Sequence, residues 1–321
     1  MIRLIVNADD LGSGPPRDRG IFFAFTRGIV SSASLLANGP GFAPAAREAL
    51  ACGLPVGVHL NLSEGYSLTG SINGLTDGTG AFPGKTALRN ILVAGQLDRE
   101  AIHGELLAQI DRVRSAGILP DHLDTHQHCL LFPALTGIVA AVAAACGIRA
   151  LRLPFPAEPA GECPGEVDCA ACQVDLSSAG AADSAVVPKP GFPRKGVHSS
   201  KSGSPTAGLS SAVAKELTLY RQLAPTARAT LQARNLWTPD GLWGMPLLNR
   251  LDEMSLAKTL TCIPRGTWEL MTHPGYRDHH DPFGGPEREV ELAALTAPII
   301  RRLIDERGME LTSFGACACA C

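Results

Sequence analysis

The stretch RLIVNADDLG, residues 3–12, decides how this chain is interpreted. Its apolar residues 4–6 are typical of a buried strand, yet the run continues into two adjacent carboxylates, Asp9 and Asp10. Two buried negative charges are costly to hold side by side, and one nearby cation makes them tolerable. A turn capped by an aspartate is the simpler interpretation of this stretch alone. The remaining sequence therefore has to supply the partners that such a carboxylate pair needs.

The composition excludes several classes of protein. The chain has 321 residues, 45% of them hydrophobic, which suffices for one large core. Lys and Arg number 28 against 31 Asp and Glu, and no basic run occurs, so we expect no nucleic-acid partner. No apolar run reaches the ~18 residues of a membrane span, and no signal-peptide pattern opens the chain, so we expect a cytoplasmic protein without membrane contact. The sequence leaves open whether the chain forms a homo-oligomer.

Short apolar runs alternate with amphipathic segments. The predicted strands are LIVNA, SSASLLAN, LPVGVHLNL, DHLDTH, IRALRL, TWELMTHPG and MELTSF. Helical patterns lie between most of them, including RDRGIFFAFTRG and one long helix over 287–307. This alternation predicts an α/β fold with a parallel sheet, and about seven such units favour a closed or nearly closed (β/α) barrel. An open doubly wound sheet is the alternative, weakened because no phosphate-binding glycine loop follows the first strand.

One stretch, residues 155–207, interrupts the alternation. It is rich in Pro, Gly, Ser and Cys and poor in large apolar residues. We therefore expect an insertion or lid within a single domain spanning 1–321. Cysteines of this stretch and of the tail could close a structural zinc site, although free thiols are the simpler interpretation because the tail has no CxxC knuckle. These cysteines are Cys163, Cys169, Cys172, Cys317, Cys319 and Cys321.

Polar side chains follow the predicted strands where each strand ends. They are Asp9, Asp10, His59, Asn61, Asp124, His126, Arg152 and His273. In a barrel of parallel strands these ends form one face, where active sites lie. Two imidazoles and one carboxylate suit a divalent metal ion, which lowers the pKa of a bound water. One aspartate of the pair can bind the metal while the other acts as a base, because the chain turns at a strand terminus and both can reach the site.

Several of these motifs have simpler interpretations when taken singly. His59 alone fits a hydrogen-bonded core residue, and HPGY alone fits a turn. Their joint occurrence at strand ends favours a site. The loop RDHHDPFGG, residues 277–285, is expected at a solvated rim or in contact with substrate. We expect further substrate contacts from Asn61, Asp124, His128, Trp243 and Tyr276, although core packing is the usual role of a single aromatic residue.

Seven motifs, in order, resemble the YdjC-like family of carbohydrate deacetylases. They are LIVNADDLG, GIVSSASLLANGPGF, VGVHLNLSEG, DHLDTHQHCLLFP, LRLPF, ELMTHPGY and GMELTSF. The resemblance covers the first 155 and the last 60 residues. It implies a distorted (β/α) barrel, one divalent metal ion (zinc or magnesium), and removal of the acetyl group from an N-acetylated amino sugar. Such a sugar would belong to an N-acetylglucosamine-containing oligosaccharide or glycoconjugate.

The resemblance also implies roles for individual residues. On the matching positions, Asp10, His59 and His126 hold the metal and Asp9 is the general base. LRLPF is similar to the Arg-x-Pro-aromatic motif of larger polysaccharide deacetylases, which implies that Arg152 orients Asp9. From these residues we expect metal-bound water, deprotonated by Asp9, to attack the acetyl carbonyl, with His273, as a cation, protonating the leaving amine.

Two alternatives remain at this point. The first is a two-metal amidohydrolase that uses HQH, residues 126–128, although such enzymes carry this motif on the first strand. The second is a sugar-binding protein with a degenerate site, although a binding protein needs no pair of aspartates, arginine and histidine around a metal.

Overall fold

The computed structural model describes residues 1–157 and 211–319. Its strands are β1 Ile2–Leu11, β2 Ser32–Leu35, β3 Val56–Leu60, β4 His122–Thr125, β5 Ala150–Leu151, β6 Leu242–Trp243, β7 Gly266–Thr272 and β8 Met309–Leu311. Its helices are α1 Pro15–Arg27, α2 Phe42–Cys52, α3 Lys85–Ala94, α4 Arg99–Ser115, α5 Pro133–Ala145, α6 Ser211–Gln232, α7 Glu253–Cys262, α8 Glu287–Leu295, α9 Pro298–Glu306 and α10 Phe314–Ala318. From residue 158 onward, the expected insertion lies outside the described residues, as do Cys163, Cys169, Cys172 and Cys321 of the suggested zinc site.

The strands form one parallel sheet in the order β5-β4-β3-β2-β1-β7-β6, with β8 also paired to β1. The two edges of this sheet meet just beyond β5, where Leu242 N donates to Phe155 O and Ala157 N donates to Leu242 O, both at 2.9 Å. The sheet is therefore curled into a distorted barrel with helices around it. This confirms the fold class predicted from the alternating pattern.

Burial on both faces explains the apolar strands, and proline explains the one helix that differs from prediction. Leu4, Ile5 and Val6 of β1 are completely buried, as is usual for a parallel strand covered on both sides. The single helix expected over 287–307 is instead two helices, because Pro298 has no N–H to continue the first and is well suited to begin the second. None of the described helices is both long and apolar enough to cross a membrane.

Strand β1 carries a β-bulge at the two aspartates. Ala8 pairs with Ala33 and Leu11 with Leu35, so β1 advances three residues where β2 advances two. Asp10 takes up the extra length with φ at 66°, in the left-handed region. The sequence predicts that the chain turns at the end of the strand, but the turn lies inside it. This bulge lets two adjacent side chains reach one site instead of opposite faces.

Candidate active site

Three predicted metal ligands converge at the carboxyl end of the barrel. Asp10 Oδ1 lies 3.1 Å from His126 Nδ1 and 3.4 Å from His59 Nε2, and these two nitrogens are 3.1 Å apart. Asp10 Oδ1 is buried without a well-aligned hydrogen bond from the described part of the chain. One carboxylate and two imidazoles, with room for further ligands, form a donor set that fits a divalent metal ion.

The pKa values of the two imidazoles also indicate a site for a cation. Burial disfavours the imidazolium form of His59, but Asp124 and Asp10 outweigh burial and raise its pKa to about 10. Burial likewise opposes the charge on His126, and Asp10 raises the pKa of this ring to about 9. The surrounding carboxylates thus favour positive charge on both rings, and a metal ion that binds here has to displace the ring protons.

Each imidazole is oriented by a carboxylate on its far side. His59 Nδ1 lies 2.9 Å from Asp124 Oδ1, which directs Nε2 toward Asp10. His126 Nε2 lies 3.4 Å from Glu64 Oε2, and Gln127 Nε2 donates to the other oxygen of Glu64 at 2.6 Å. Asp124 therefore orients a ring in the described site, whereas the sequence predicts that it contacts substrate.

Asp9 is clamped by Arg152, as the Arg-x-Pro-aromatic motif implies. Arg152 Nη1 donates to Asp9 Oδ2 and Nη2 donates to Oδ1, each at 2.6 Å, and Asn7 Nδ2 also donates to Oδ1 at 2.8 Å. Burial raises the pKa of the Asp9 carboxyl, but the guanidinium outweighs burial and leaves the pKa below its usual value. Asp9 is therefore ionised beside the predicted metal position.

Arg152 also holds two further carboxylates, one of which the sequence did not single out. This fully buried guanidinium donates from Nε to Glu269 Oε1 at 2.7 Å, and its Nη1 lies 2.7 Å from Asp124 Oδ2. Burial raises the pKa of Glu269 to about 7, although Arg152 opposes this shift. A glutamate inside the predicted strand TWELMTHPG is the signal that could have revealed it, because a carboxylate in a buried strand needs a cationic partner.

His273 reaches the site from the end of β7 and lies between two arginines. Its carbonyl accepts from Arg17 Nη1 at 3.0 Å and from Arg288 Nη1 at 3.1 Å, and its ring meets Phe283 edge-on at 5.1 Å. Burial, assisted by the two guanidinium groups, lowers the pKa of His273 to about 3. The free protein therefore holds a neutral ring, whereas the sequence predicts a cation.

A cavity of about 320 Å³ opens over these groups. Its described walls include Asp9, Asp10, His59, His126 and His273, together with His128, one of the five predicted substrate contacts. The sequence analysis did not predict the wall from α3 and α6. There, Lys85 Nζ lies 2.9 Å from Glu216 Oε1, and Tyr220 donates to the same oxygen at 2.5 Å. Two helices distant in sequence supply this wall, and no motif marks them.

The four other predicted substrate contacts lie away from the described cavity wall: Asn61, Asp124, Trp243 and Tyr276. The Asn61 amide is used within its own loop, donating to Glu64 O at 2.8 Å and accepting from Ser63 N at 2.9 Å. Trp243 is buried edge-on against Trp268 at 6.1 Å, and Tyr276 packs beneath Arg19 at 4.8 Å. A strand-end position brings a residue near the face, but loop geometry decides where its side chain points.

The chain matches known proteins along most of its length. The profile of the family described as YdjC-like protein matches residues 3–306. A mouse protein named carbohydrate deacetylase is 33% identical over 97% of this chain and 93% of its own length, and the human protein of that name is 32% identical over 97% and 89%.

A solved structure shares the fold. It is a crystal structure of an Enterococcus faecalis V583 protein provisionally described as a cellobiose-phosphate cleavage protein, with a TM-score of 0.64, 22% identity and 98% coverage of both chains. This likeness supports the architecture only. The profile match and the two mammalian relatives confirm the resemblance found in the sequence motifs: this chain belongs to the YdjC-like family.

Proposed function

We propose that this chain is a metal-dependent carbohydrate deacetylase that hydrolyses the acetamide of an N-acetylated amino sugar. The observation that carries the proposal is the convergence of Asp10, His59 and His126 next to an ionised Asp9 in one cavity. The mouse and human relatives named carbohydrate deacetylase support the reaction class. An oligosaccharide or glycoconjugate that contains N-acetylglucosamine is the proposed substrate.

Asp10, His59 and His126 would hold one divalent ion. Two imidazoles favour zinc, and an open site with carboxylate ligation also accepts magnesium. When bound there, such an ion supplies a Lewis acid that polarises the acetyl carbonyl and lowers the pKa of water.

The residues of the chain supply the proton transfers in this proposal. Asp9 accepts the proton of the attacking water, while Arg152 holds both oxygens of its carboxylate in a fixed plane. The leaving nitrogen receives its proton from His273, which must first gain one because its ring is neutral at rest. Asp9 Oδ2 lies 3.9 Å from His273 Nε2 and favours that gain.

The two aspartates provide the decisive test. Asp9→Asn should keep the metal and lose turnover by a factor on the order of 10² to 10⁴, because an amide cannot accept the proton. Asp10→Asn should weaken metal binding, and excess metal should partly restore activity. Asn tolerates the left-handed conformation of residue 10, so backbone strain does not complicate this variant.

Metal content and single-turnover rate are measured for both variants. Metal loss in Asp9→Asn with retention in Asp10→Asn would reverse the two roles. Near-normal turnover in Asp9→Asn would remove the base from the mechanism. Mass spectrometry on a panel of N-acetylated mono-, oligo- and conjugated sugars, scored for loss of one acetyl group, identifies the substrate.

The two-metal alternative gains no support from the geometry. Asp9, His59 and Asp124 form a second group of close donor atoms. Arg152, however, contacts both carboxylates of that group at 2.6–2.7 Å, so a guanidinium already occupies the space that a second cation would need. We expect one ion per chain by elemental analysis, and two would favour the amidohydrolase.

A further inference from the structure

A second layer of residues lies inside the barrel beneath the site. Each member stands two positions before a residue of the site on the same strand, so both point to the same face. The pairs are Asn7 with Asp9 on β1, Gly57 with His59 on β3, and His122 with Asp124 on β4. The mechanism proposed above uses no member of this lower layer.

A continuous chain of hydrogen bonds links His122 and Asn7 of this layer through Ser34 of β2 and ends on Asp9. Asn7 Nδ2 donates to Asp9 Oδ1 at 2.8 Å and to Ser34 Oγ at 2.7 Å. Ser34 Oγ lies 3.3 Å from His122 Nε2, and His122 Nδ1 lies 2.6 Å from Asp121 Oδ1. Asn7, Ser34 and His122 are completely buried, so water does not compete for these bonds.

The chemistry of the partners determines which group donates and which accepts in each of these hydrogen bonds. An ionised Asp121 only accepts, so His122 carries a proton on Nδ1 and pairs through Nε2 with the Ser34 hydroxyl. At the other end, the Asn7 amide must turn its nitrogen toward Asp9, because its oxygen would face a carboxylate there. Each group therefore orients the next.

Gly57 leaves room for this chain of hydrogen bonds to pass across β3. A Cβ on Gly57 would lie 2.3 Å from His122 Cε1, so only glycine lets this ring cross β3 toward Ser34. Phe314 stacks on the same ring, with ring centroids 3.9 Å apart and planes 17° apart. The imidazole is thus held in one orientation by packing as well as by hydrogen bonds.

We propose that Asn7, Ser34, His122 and Asp121 form a positioning chain that orients Asp9 for proton transfer. The inference rests on the proposed role of Asp9 as the base. Within the described structure, Asp9 Oδ1 accepts from both Asn7 and Arg152, whereas Oδ2 accepts from Arg152 alone and faces His273. The chain therefore makes Oδ2 the oxygen that takes the proton.

The sharpest test compares two buried serines of β2. Ser34→Ala cuts the chain, whereas Ser32→Ala removes a buried hydroxyl without a hydrogen-bond partner among the described residues. In the metal-loaded enzyme, Ser34→Ala should lower kcat by roughly tenfold, the scale of one lost buried hydrogen bond, with KM and metal content unchanged. Ser34→Thr keeps the hydroxyl and should restore kcat. Ser32→Ala should leave kcat, KM and metal content as they are.

A double variant distinguishes a positioning role from general damage to the fold, because it shows whether the two effects on kcat are coupled. Asn7→Ala should also lower kcat, and adding Ser34→Ala to it should lower kcat no further because the chain is already cut. Additive losses, or a normal kcat in Ser34→Ala, would overturn the proposal. Asp121→Asn at the partly exposed end is a second variant in case Ser34→Ala does not fold. A decrease in kcat of about threefold supports the chain, and an unchanged kcat overturns it.

The same measurements distinguish failure of this inference from failure of the proposed function. If Asp9→Asn is inactive while Ser34→Ala has a normal kcat, only the positioning chain is wrong. If Asp9→Asn retains turnover, the proposed base itself is wrong.

Discussion

Replacing Arg152 with methionine would remove the guanidinium that Asp9, Asp124 and Glu269 share inside the barrel. The structure places its nitrogens 2.6–2.7 Å from oxygens of all three carboxylates. Removing one partner of a buried ion pair costs about 3–5 kcal/mol, because the remaining charge is left uncompensated. We therefore expect the free energy of unfolding of metal-free Arg152→Met to fall by about 3–5 kcal/mol near pH ~8.

The loss of unfolding free energy in Arg152→Met should become smaller as the pH falls, because folding of the variant is linked to proton binding. Without the guanidinium, the buried carboxylates have pKa values above those of the unfolded chain, so the folded variant binds more protons. Stability then rises toward low pH by about 1.4 kcal/mol per pH unit for each extra proton. Between pH ~8 and pH ~6, one such proton would return about 2.7 kcal/mol of the deficit.

Urea unfolding of the metal-free protein, followed by far-UV circular dichroism, measures this effect at both pH values. Arg149→Met is the matched control, because Arg149 is exposed and lies three residues before Arg152. We expect the control to stay within about 0.5 kcal/mol of the wild type. The reasoning is refuted if Arg152→Met matches the control, or if its deficit is the same at both pH values.

Three further predictions follow from the same site. His126→Ala should lose the metal and the activity together, whereas His103→Ala on α4 should keep both; normal metal content in the first variant, by elemental analysis, would exclude His126 as a ligand. Since the pKa values of His59 and His126 are raised to about 10 and 9, metal binding near neutral pH should release up to two protons and become tighter as pH rises. Calorimetry in buffers of different ionisation enthalpy counts the released protons. Metal binding without proton release would contradict the assignment of His59 and His126 as ligands. Burial raises the Glu269 pKa from 4.5 to about 7, so the contribution of this group to stability is fully present below its unfolded-state pKa and is lost as pH rises through its folded-state pKa. Glu269→Gln should therefore gain stability relative to the wild type as pH rises from about 4.5 to 7. A stability difference in urea unfolding that does not depend on pH would contradict this prediction.

Strand-end chemistry was the part of the site that the sequence could predict. Asp9, Asp10, His59, His126 and His273 do converge on one cavity, because the carboxyl ends of parallel strands meet on one face of a barrel. The alternation of strands and helices predicted the sheet for a similar reason, since it depends only on periodicity and burial. The chemical roles of these five residues are predictions that the variants test.

What the sequence could not predict depends on long-range geometry. The cavity wall with Lys85, Glu216 and Tyr220 comes from helices that only the folded chain brings together. The neutral state of His273 follows from its burial, assisted by Arg288 and by Arg17, which is 256 residues away in sequence. Asn61 lies away from the described cavity wall because its amide is used by a local turn, which the sequence pattern does not distinguish from an open side chain.

The bulge in β1 has a genetic consequence. Since Leu11 pairs with Leu35 only after one extra residue, deleting Asp10 would leave a strand of regular register, with Asp9 opposite Ser34 and Leu11 still opposite Leu35. The proposed metal ligand is thus an addition one codon long to an ordinary β-strand. Insertion of one aspartate codon, for example by duplication, would place a second carboxylate here and leave the rest of the barrel in register.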